Sequence, residues 1–490
     1  MFRNVVSLPL LLTFMFALPK AEMRLFPAPS GPDVPVDAPL RIVFDQTETP
    51  TQSGLLTVYE AGTGKAVFVL DIARIPKVAA GTGWPFQRTV GGENLNILPL
   101  VMLEKEAYIA LPPHTLASGR SYYVTLDAGV FKDANGLANP AVSGASAWRF
   151  STRSLPAAAR SGYSVAADGS GDFCTLQGAL DFLPAGNQNA VTLSIKPGSY
   201  PELVRSIGKN RISVVGTDRK SCLITYANNN AFNAGTSQRA MARIFGDDIR
   251  LENITFANAT PQGGSQAEAL FIRGERCVVS HCAFISFQDT MLLDGRVYLI
   301  GCEVTGAVDY IWGYGIAFFQ SCTLKSNADG YILQARNPKD SGGYVFIDCT
   351  LLASGNTKNS YLARDGNGQF PDGQAIWIDT HMGAHIPKTG WLLQGAGGSN
   401  PGFAEYHSLD LAEKPIDVGG RSQFSRQLTA VEADFFRNPV HVLGGTDNWD
   451  PRPTTSSAYR AKVNRRVSAT SPVQYLSASK YNILGDFIGN

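Results

Sequence analysis

The chain has 490 residues, of which 17% are charged and 49 are glycine, and its formal net charge is +1. This length suits two or three domains. Low charge with abundant glycine is typical of an all-β protein with many turns. A net charge so close to zero gives no electrostatic reason to expect binding to nucleic acid or to an anionic membrane.

The first 21 residues have the pattern of a secretory signal peptide. Arg3 supplies the positive charge near the start, and the apolar run over residues 8–18 is too short to span a bilayer. We therefore predict cleavage near Ala21 and a secreted or periplasmic protein. A retained anchor or a buried N-terminal strand is the alternative. No other segment is predicted to cross a membrane.

Residues 24–153 are predicted to form a small Ig-like β-sandwich. Short alternating runs, such as residues 40–44 and 122–126, are separated by Gly, Pro, Asn and Asp. The opening at 34–40 and the close at 148–152 resemble bacterial Ig-like domains of exported proteins. The region holds no catalytic cluster, so we expect it to be a spacer or to contact a glycan.

A linker at about residues 154–161 leads into a repetitive sequence. Residues 175–183 have helical spacing and end at Pro184, which predicts a short helix that caps an exposed sheet. Strand-forming segments then recur in steps of 20 to 28 residues, which is typical of a solenoid of β-coils. The central residues of these segments are Ile254, Cys282, Cys302, Cys322 and Cys349.

These repeats predict a right-handed parallel β-helix over residues 162–490, because crossover connections between parallel strands are right-handed. The repeats end near residue 410, and loops or short helices are expected after about residue 430. A β-sandwich with coincidental spacing is the alternative. The predicted fold class is thus all-β, a β-helix preceded by a small sandwich.

Asp289 and Asp309 differ by one 20-residue step, so they are expected one above the other on the same face. Two carboxylates about 5 Å apart do not both ionise easily, which makes one an acid and leaves the other an anionic nucleophile. The spacing alone is weak evidence, because Asp also ends strands and forms turns.

Four segments around these aspartates resemble, in order and spacing, the active-site motifs of pectin methylesterases. The similarity extends over about residues 162–410. The four segments are QAEAL at 266–270, QDT at 288–290, GAVDYIWG at 306–313 and YLAR at 361–364.

This resemblance implies a role for each of five residues. Asp309 would be the nucleophile, and Asp289 the general acid that later acts as a base. Gln266 and Gln288 would donate to the oxyanion, and Arg364 would pair with the nucleophile and contact substrate. The implied reaction is hydrolysis of the methyl esters of polygalacturonate (pectin), with release of methanol and without a cofactor.

Three departures from the family pattern place the substrate in question. Asp365 and Gly366 stand where the family has Pro and a Trp that lines the sugar site. Trp312 is therefore expected to replace part of that stacking surface, with a core position as the alternative. Glu268 is expected to share the face of Gln266 and to place negative charge near the cleft.

The cysteines do not predict a metal site. The chain has seven cysteines without paired CxxC spacing and only six histidines, so a zinc site has little support. An odd number of cysteines leaves at least one free thiol. The family resemblance suggests one disulfide, between Cys302 and Cys322.

Three other functions remain open at this point. The same machinery fits a different sugar-acid or acyl ester. A polysaccharide lyase of this fold is disfavoured, because no acidic calcium cluster stands beside a basic residue. A non-catalytic glycan-binding solenoid is disfavoured because Asp289, Asp309 and Arg364 are all present. In each case the expected partner is a polysaccharide and not a nucleic acid.

Overall fold

The computed structural model describes residues 23–76, 83–158, 160–339, 341–393 and 402–452. The predicted signal peptide at residues 1–21 lies outside the described residues, as does the end of the chain after residue 452. In the described ranges, no helix is both long enough and apolar enough to cross a membrane.

The N-terminal region consists of two sheets, antiparallel but for one parallel pair, that enclose a common apolar core. Inward residues such as Leu40, Ile42, Val58, Val124 and Trp148 are fully buried between them. The alternating pattern read from the sequence is therefore real, whereas the assignment to the Ig-like class stays a prediction. The first sheet comprises Met23–Phe26, Leu40–Phe44, Glu106–Ile109 and Val101–Leu103, and the second Gly31–Val34, Arg149–Thr152, Ser121–Leu126, Leu55–Glu60 and Ala66–Asp71.

Two further strand pairs, one of them a hairpin, and one short helix complete this region. Glu48–Pro50 pairs with Phe131–Asp133, and Gln87–Val90 pairs with Glu93–Asn96, both antiparallel. A 3-10 helix covers Ile72–Arg74.

The rest of the described chain winds into coils whose strands pair in parallel with those of the next coil. A sheet of 16 strands and a sheet of nine strands run along the whole solenoid. Successive coils add parallel strands to these sheets, so a strand residue meets its counterpart in the following coil. The all-β parallel solenoid predicted from the repeats is thus confirmed.

The 16-stranded sheet contains a main path and a side ladder. The main path runs Gly162–Val165, Val191–Ile195, Ile212–Gly216, Arg250–Glu252, Leu270–Ser280, Met291–Ile300, Ile316–Gln320, Tyr344–Ile347, Gln374–Ile378, Gly402–Tyr406 and Arg426–Gln427. The side ladder comprises Val204–Ile207, Ala242–Phe245, Ile311–Gly313, Gly330–Ala335 and Ser360–Ala363. The nine-stranded sheet comprises Gly198–Pro201, Cys222–Tyr226, Thr255–Asn258, Ala283–Ile285, Glu303–Gly306, Thr323–Ser326, Thr350–Ala353, His381–Met382 and Leu409–Asp410.

The positions predicted to stack do stack. Each of the five predicted residues directly precedes a strand of the nine-stranded sheet and accepts a backbone hydrogen bond from the strand start one coil later. The N–H of Glu303 donates to the Cys282 carbonyl at 2.9 Å, that of Thr323 to Cys302 at 2.8 Å and that of Thr350 to Cys322 at 2.9 Å. The predicted register at 254, 282, 302, 322 and 349 is therefore confirmed.

The predicted Cys302–Cys322 disulfide is wrong for this structure. All seven cysteines lie within the described residues, and all are free and buried. The thiol of Cys302 donates to the Val279 carbonyl at 3.4 Å, and the thiol of Cys322 donates to the Gln320 carbonyl at 3.4 Å. The two thiols also hydrogen-bond to each other, so stacking brings them into contact without a covalent bond between them.

The N-terminal region is bound to the first coils through polar contacts. The Asp37 carboxylate accepts hydrogen bonds from the backbone N–H groups of Cys174 and Thr175, at 3.0 Å and 2.8 Å, next to the start of a helix at Leu176–Phe182. This is the helix predicted over residues 175–183. Glu93 forms ion pairs with Arg205 and Arg243 of the solenoid.

Apolar side chains of the predicted sandwich also belong to the core of the solenoid. Trp84, Val90, Leu95 and Ile97 are buried in the same cluster as the first coils, and the Trp84 ring meets Phe232 edge-on at 5.3 Å. The region is therefore more than a spacer, because part of its apolar surface covers the β-helix. The predicted domain boundaries stay predictions.

The described C-terminal residues form loops and short helices, as predicted. Their helices are Ala430–Arg437, Pro439–Leu443 and the 3-10 turn Gly445–Asp447; one further short helix, Thr236–Arg239, lies within the coils. The 3-10 turn is held by Arg296, whose guanidinium donates to both oxygens of Asp447 at 2.6 Å and 2.8 Å.

Candidate active site

Asp289 and Asp309 occupy equivalent places in consecutive coils, just before two paired strands of the 16-stranded sheet. Gln288 forms a parallel bridge with Val308, and Met291 pairs with Ile311, so the two aspartates are in register. Both have left-handed backbone, with φ of 64° and 46°. Asp adopts this conformation more readily than most residues, which suits a sharp turn between coils.

The side chains around the two aspartates line one cavity of about 240 Å³. All five predicted catalytic residues are among its lining. Of the others, Gly366 was expected at the sugar site, whereas Gln334, Arg336, Asn367 and Gln369 were not predicted; they come from a later coil and from the loop after Arg364. The lining residues are Gln266, Gln288, Asp289, Asp309, Gln334, Arg336, Arg364, Gly366, Asn367 and Gln369.

Asp309 has Arg364 as its own counter-ion. The Arg364 Nε donates to Asp309 Oδ1 at 2.7 Å, and a terminal nitrogen of the same guanidinium donates to Oδ2. This two-point pairing fixes the plane of the carboxylate and places a full positive charge against both of its oxygens. Tyr331 supports the arginine, whose guanidinium carbon lies 4.5 Å from the centre of the tyrosine ring.

Asp289 is in a different electrostatic environment. Burial raises the pKa of Asp289 well above its ordinary value, and the negative charge of Glu268 pushes it further in the same direction. Arg239 opposes this shift, and Asp309 adds to it. Arg239 donates to Asp289 Oδ2 at 2.7 Å. The two stacked aspartates therefore differ in the way that an acid and a nucleophile must differ.

Glu268 does not place free negative charge in the cleft, which corrects the expectation from the sequence. Its side chain is fully buried, with 0% exposure. Arg239 covers it, with Nε donating to the two carboxylate oxygens at 2.9 Å and 3.0 Å and a terminal nitrogen donating to Oε1 at 2.7 Å. Arg239 was not predicted as this partner, because it lies outside the family motifs.

The predicted substrate contact at Trp312 is also wrong for this structure. Its ring is only 2% exposed and packs with Phe271 and Leu292. The Arg336 guanidinium carbon lies 4.1 Å from the centre of that ring. Trp312 therefore supports a cavity arginine and leaves no face open for a sugar.

Gly366 stands where the family has a Trp, and its surroundings leave little room for a side chain. Its backbone is left-handed, with φ of +62°, and a Cβ there would lie 2.7 Å from the Phe370 ring. Phe370 thus fills the space that a side chain at 366 would need. Phe370 meets Tyr314 edge-on at 6.5 Å, and Tyr314 is 49% exposed.

Extending the predicted register by one coil beyond Asp309 would have identified two further cavity residues, Gln334 and Arg336. Gln334 pairs in register with Trp312, one coil after it. Its side-chain oxygen accepts a hydrogen bond from Arg336 Nε at 2.7 Å. In the described ranges, no three His, Cys, Asp or Glu side chains are grouped as a metal site requires.

Comparison with known proteins agrees with this geometry. The family model described as Pectinesterase matches residues 163–401. Pectinesterase 31 of Arabidopsis thaliana is 32% identical over 241 residues, which cover 46% of this chain and 75% of that protein. Pectinesterase 2 of Olea europaea is 28% identical over 279 residues, covering 54% and 74%.

Solved structures resemble the chain at the level of the fold. A pectin methylesterase from carrot has a TM-score of 0.54 at 22% identity, over 60% of this chain and 96% of that one. A pectin methylesterase from Aspergillus niger has a TM-score of 0.51 at 23% identity, over 59% and 96%. These likenesses confirm the predicted right-handed parallel β-helix.

The relative from Arabidopsis exceeds 30% identity across most of its own length. The family match falls on the same coils that carry the paired aspartates. The chain belongs to the pectinesterase family of carboxylic ester hydrolases.

Proposed function

We propose that this chain hydrolyses the methyl esters of polygalacturonate and releases methanol. The observation that supports this most directly is the unequal pair of stacked aspartates. Asp309 is held by Arg364 through both carboxylate oxygens, whereas burial and Glu268 raise the pKa of Asp289. Covalent ester hydrolysis by two carboxyl groups requires that inequality.

In the first half-reaction, a carboxylate oxygen of Asp309 attacks the ester carbonyl carbon. The carbonyl oxygen becomes an oxyanion, to which the amide groups of Gln266 and Gln288 donate hydrogen bonds. The bond to the methoxy oxygen then breaks as Asp289 gives that oxygen its proton. Methanol leaves, and the uronate acyl group remains on Asp309 as an anhydride.

In the second half-reaction, water attacks the acyl carbon of the substrate. Asp289, now ionised, accepts a proton from that water. The tetrahedral intermediate collapses, releases the galacturonate carboxyl group and restores the Asp309 carboxylate. Arg364 stabilises that carboxylate as a leaving group because it already binds both of its oxygens.

A single assay tests this proposal. The protein is incubated with highly methylated pectin, and methanol, released protons and unsaturated product are measured together. We expect methanol and protons in equal amounts and no unsaturated product. Unsaturated product would identify a lyase, and the absence of all three products would contradict the proposal.

A second candidate is hydrolysis of a different sugar-acid or acyl ester by the same residues. The observation that favours it is the altered wall of the cavity, where Gly366 and Phe370 replace the Trp expected of the family. Activity on small methyl or acetyl esters without methanol release from pectin would support this candidate over the first.

The proposal extends to location and organisation. We infer that the chain is exported, because its first 21 residues have the pattern of a signal peptide and its proposed substrate is a cell-wall polymer. We further infer an Ig-like sandwich at 24–153 and a pectinesterase-like β-helix from 162 onward. Detection of a mature N-terminus close to residue 22 in the secreted protein would test the first inference.

A further inference from the structure

Three charged side chains from three coils meet beside the cavity, and two of them have no role in the proposed reaction. Glu268 is fully buried, and the side chains of Arg239 and Asp289 are only 9% and 8% exposed. Burying a carboxylate is costly unless it is paired and hydrogen-bonded. The placement of a second buried carboxylate next to the proposed acid therefore needs a reason.

The guanidinium of Arg239 is shared unequally between the two carboxyl groups. It makes three contacts with Glu268, at 2.7, 2.9 and 3.0 Å, and one contact with Asp289, at 2.7 Å. The same terminal nitrogen contributes to both partners. Two-point pairing marks Glu268 as the ionised partner, since an ionised carboxylate offers acceptors on both oxygens.

The opposing influences on the two carboxyl groups agree with this assignment. Burial raises the pKa of Glu268, but the hydrogen bonds and charge of Arg239 oppose that rise. Burial also raises the pKa of Asp289, and there the next influence, the charge of Glu268, adds to the rise. The proton is therefore held on Asp289.

We propose that Glu268 is a positioning residue that occupies the charge of Arg239 and so keeps Asp289 protonated as the general acid. Arg239 holds Asp289 in place through one hydrogen bond without becoming its counter-ion. This inference rests on the proposed function and deepens it, because it names the groups that prepare the acid for its task.

Every charged group that faces Asp289 enters this balance. The negative groups disfavour ionisation of Asp289, and the arginines favour it. The groups are Glu268 and Arg239 from the preceding coils, Asp309 from the next coil, and Arg336 and Arg364 from the two coils after that. Asp309 is already paired with Arg364, and Arg336 is bonded to Gln334. The protonation state of Asp289 therefore depends on which carboxyl group pairs with Arg239.

The test is the pH profile of Glu268→Gln. A neutral carboxamide leaves Arg239 free to pair with Asp289, which lowers the pKa of Asp289. A general acid acts only while protonated, so kcat/KM falls as pH rises through its pKa. In the variant, we expect that fall to begin about one pH unit lower than in the wild type. On the alkaline limb, kcat/KM should drop about tenfold.

Two further variants separate this role from a merely structural one. Glu405 and Arg421 form another buried pair, with Nε donating to Oε1 at 2.8 Å, away from the cavity. Glu405→Gln should cost stability without moving the alkaline limb. The double variant Glu268→Gln with Arg239→Gln removes both charges, and its alkaline limb should return to the wild-type position or to higher pH.

An unchanged alkaline limb in Glu268→Gln would overturn the inference, even if kcat fell.

Infrared spectroscopy of the wild-type protein is a second test, which does not require that a Glu268 variant folds. Protonated carboxyl groups should give a band near neutral pH, and Glu202 contributes to it because burial raises its pKa to about 7. The difference spectrum between the wild type and Asp289→Asn isolates the contribution of Asp289 and should show a lost protonated-carboxyl band. A difference spectrum without a lost band would overturn the inference. A wild-type protein that releases no methanol from pectin would contradict the proposed function alone, because the infrared result does not depend on turnover.

Discussion

Two stacks of like residues repeat with the same one-coil step, and they differ in what surrounds them. In the interior, Cys302 and Cys322 directly precede consecutive strands of the nine-stranded sheet. Both are buried in the apolar core. At the edge of the side ladder, Asp289 and Asp309 follow each other by the same step and line a cavity. The same one-coil stacking thus places residues both in the apolar core and in the cavity.

The difference lies in the partners that each stack requires. A neutral thiol is satisfied by a nearby carbonyl, as Cys302 is by Val279 at 3.4 Å. A buried carboxyl group requires a charge or a proton. Arg364 pairs with Asp309 from 55 positions away, and Arg239 reaches Asp289 from 50 positions away. Stacking is therefore a local property of the repeat, whereas reactivity depends on partners from other coils that are distant in sequence.

The largest effect is expected from Asp309→Asn. The amide cannot attack the ester, so kcat on methylated pectin should fall roughly 10⁴-fold or more, as expected for loss of a nucleophile. The acyl-enzyme should be absent in rapid-quench mass spectrometry. A variant that retains activity within about tenfold of the wild type would show that the reactive stack lies elsewhere.

A carboxyl group placed in the interior stack of cysteines should destabilise the fold. Cys302→Asp buries a carboxylate among apolar side chains without an arginine, at a cost of several kcal/mol in the free energy of unfolding. We expect the variant to lose its cooperative thermal transition or to recover it only at acidic pH, where the carboxyl group is neutral. Wild-type stability at neutral pH would show that stacked carboxyl groups do not require arginine partners.

Asp289→Asn should distinguish the two members of the reactive stack. Loss of a general acid typically reduces the rate about 10²- to 10⁴-fold, so turnover of a methyl ester should fall within that range. The loss should be smaller in the acylation burst with a 4-nitrophenyl ester, whose alcohol leaves without a proton. If Asp309→Asn tolerates the activated ester and Asp289→Asn does not, the two roles are reversed.

The features carried by the repeat itself were predictable from the sequence. The step from Asp289 to Asp309 is a whole coil, so register alone placed them together, and the motif containing Arg364 supplied the counter-ion. Gln266 and Gln288 reached the same cavity for the same reason. Periodicity and motif order are sequence properties, and a parallel solenoid converts them directly into neighbours.

The errors concern the direction in which side chains point. Glu268 was expected in the cleft but is buried under Arg239, a residue outside any motif. Trp312 was expected to face the sugar but supports Arg336 instead. The disulfide was expected from position, yet the two thiols are in contact as free cysteines and also bond to carbonyls. Such outcomes depend on rotamers and on partners from other coils, which one-dimensional spacing does not specify.

The smallest effect on stability is expected when a cysteine of the interior stack is replaced by a residue that still donates a hydrogen bond. Cys302→Ser keeps a donor for the Val279 and Ile300 carbonyls, which accept from the thiol at 3.4 Å and 3.5 Å. The loss should be about 1 kcal/mol in the free energy of unfolding, with kcat unchanged, because the hydroxyl group is more polar but retains a partner. A reducing agent should leave the melting temperature of the wild type unchanged, since all seven cysteines are free. A fall of several degrees on reduction would instead reveal a disulfide, and the stack of thiols would then be a cross-link of the coils.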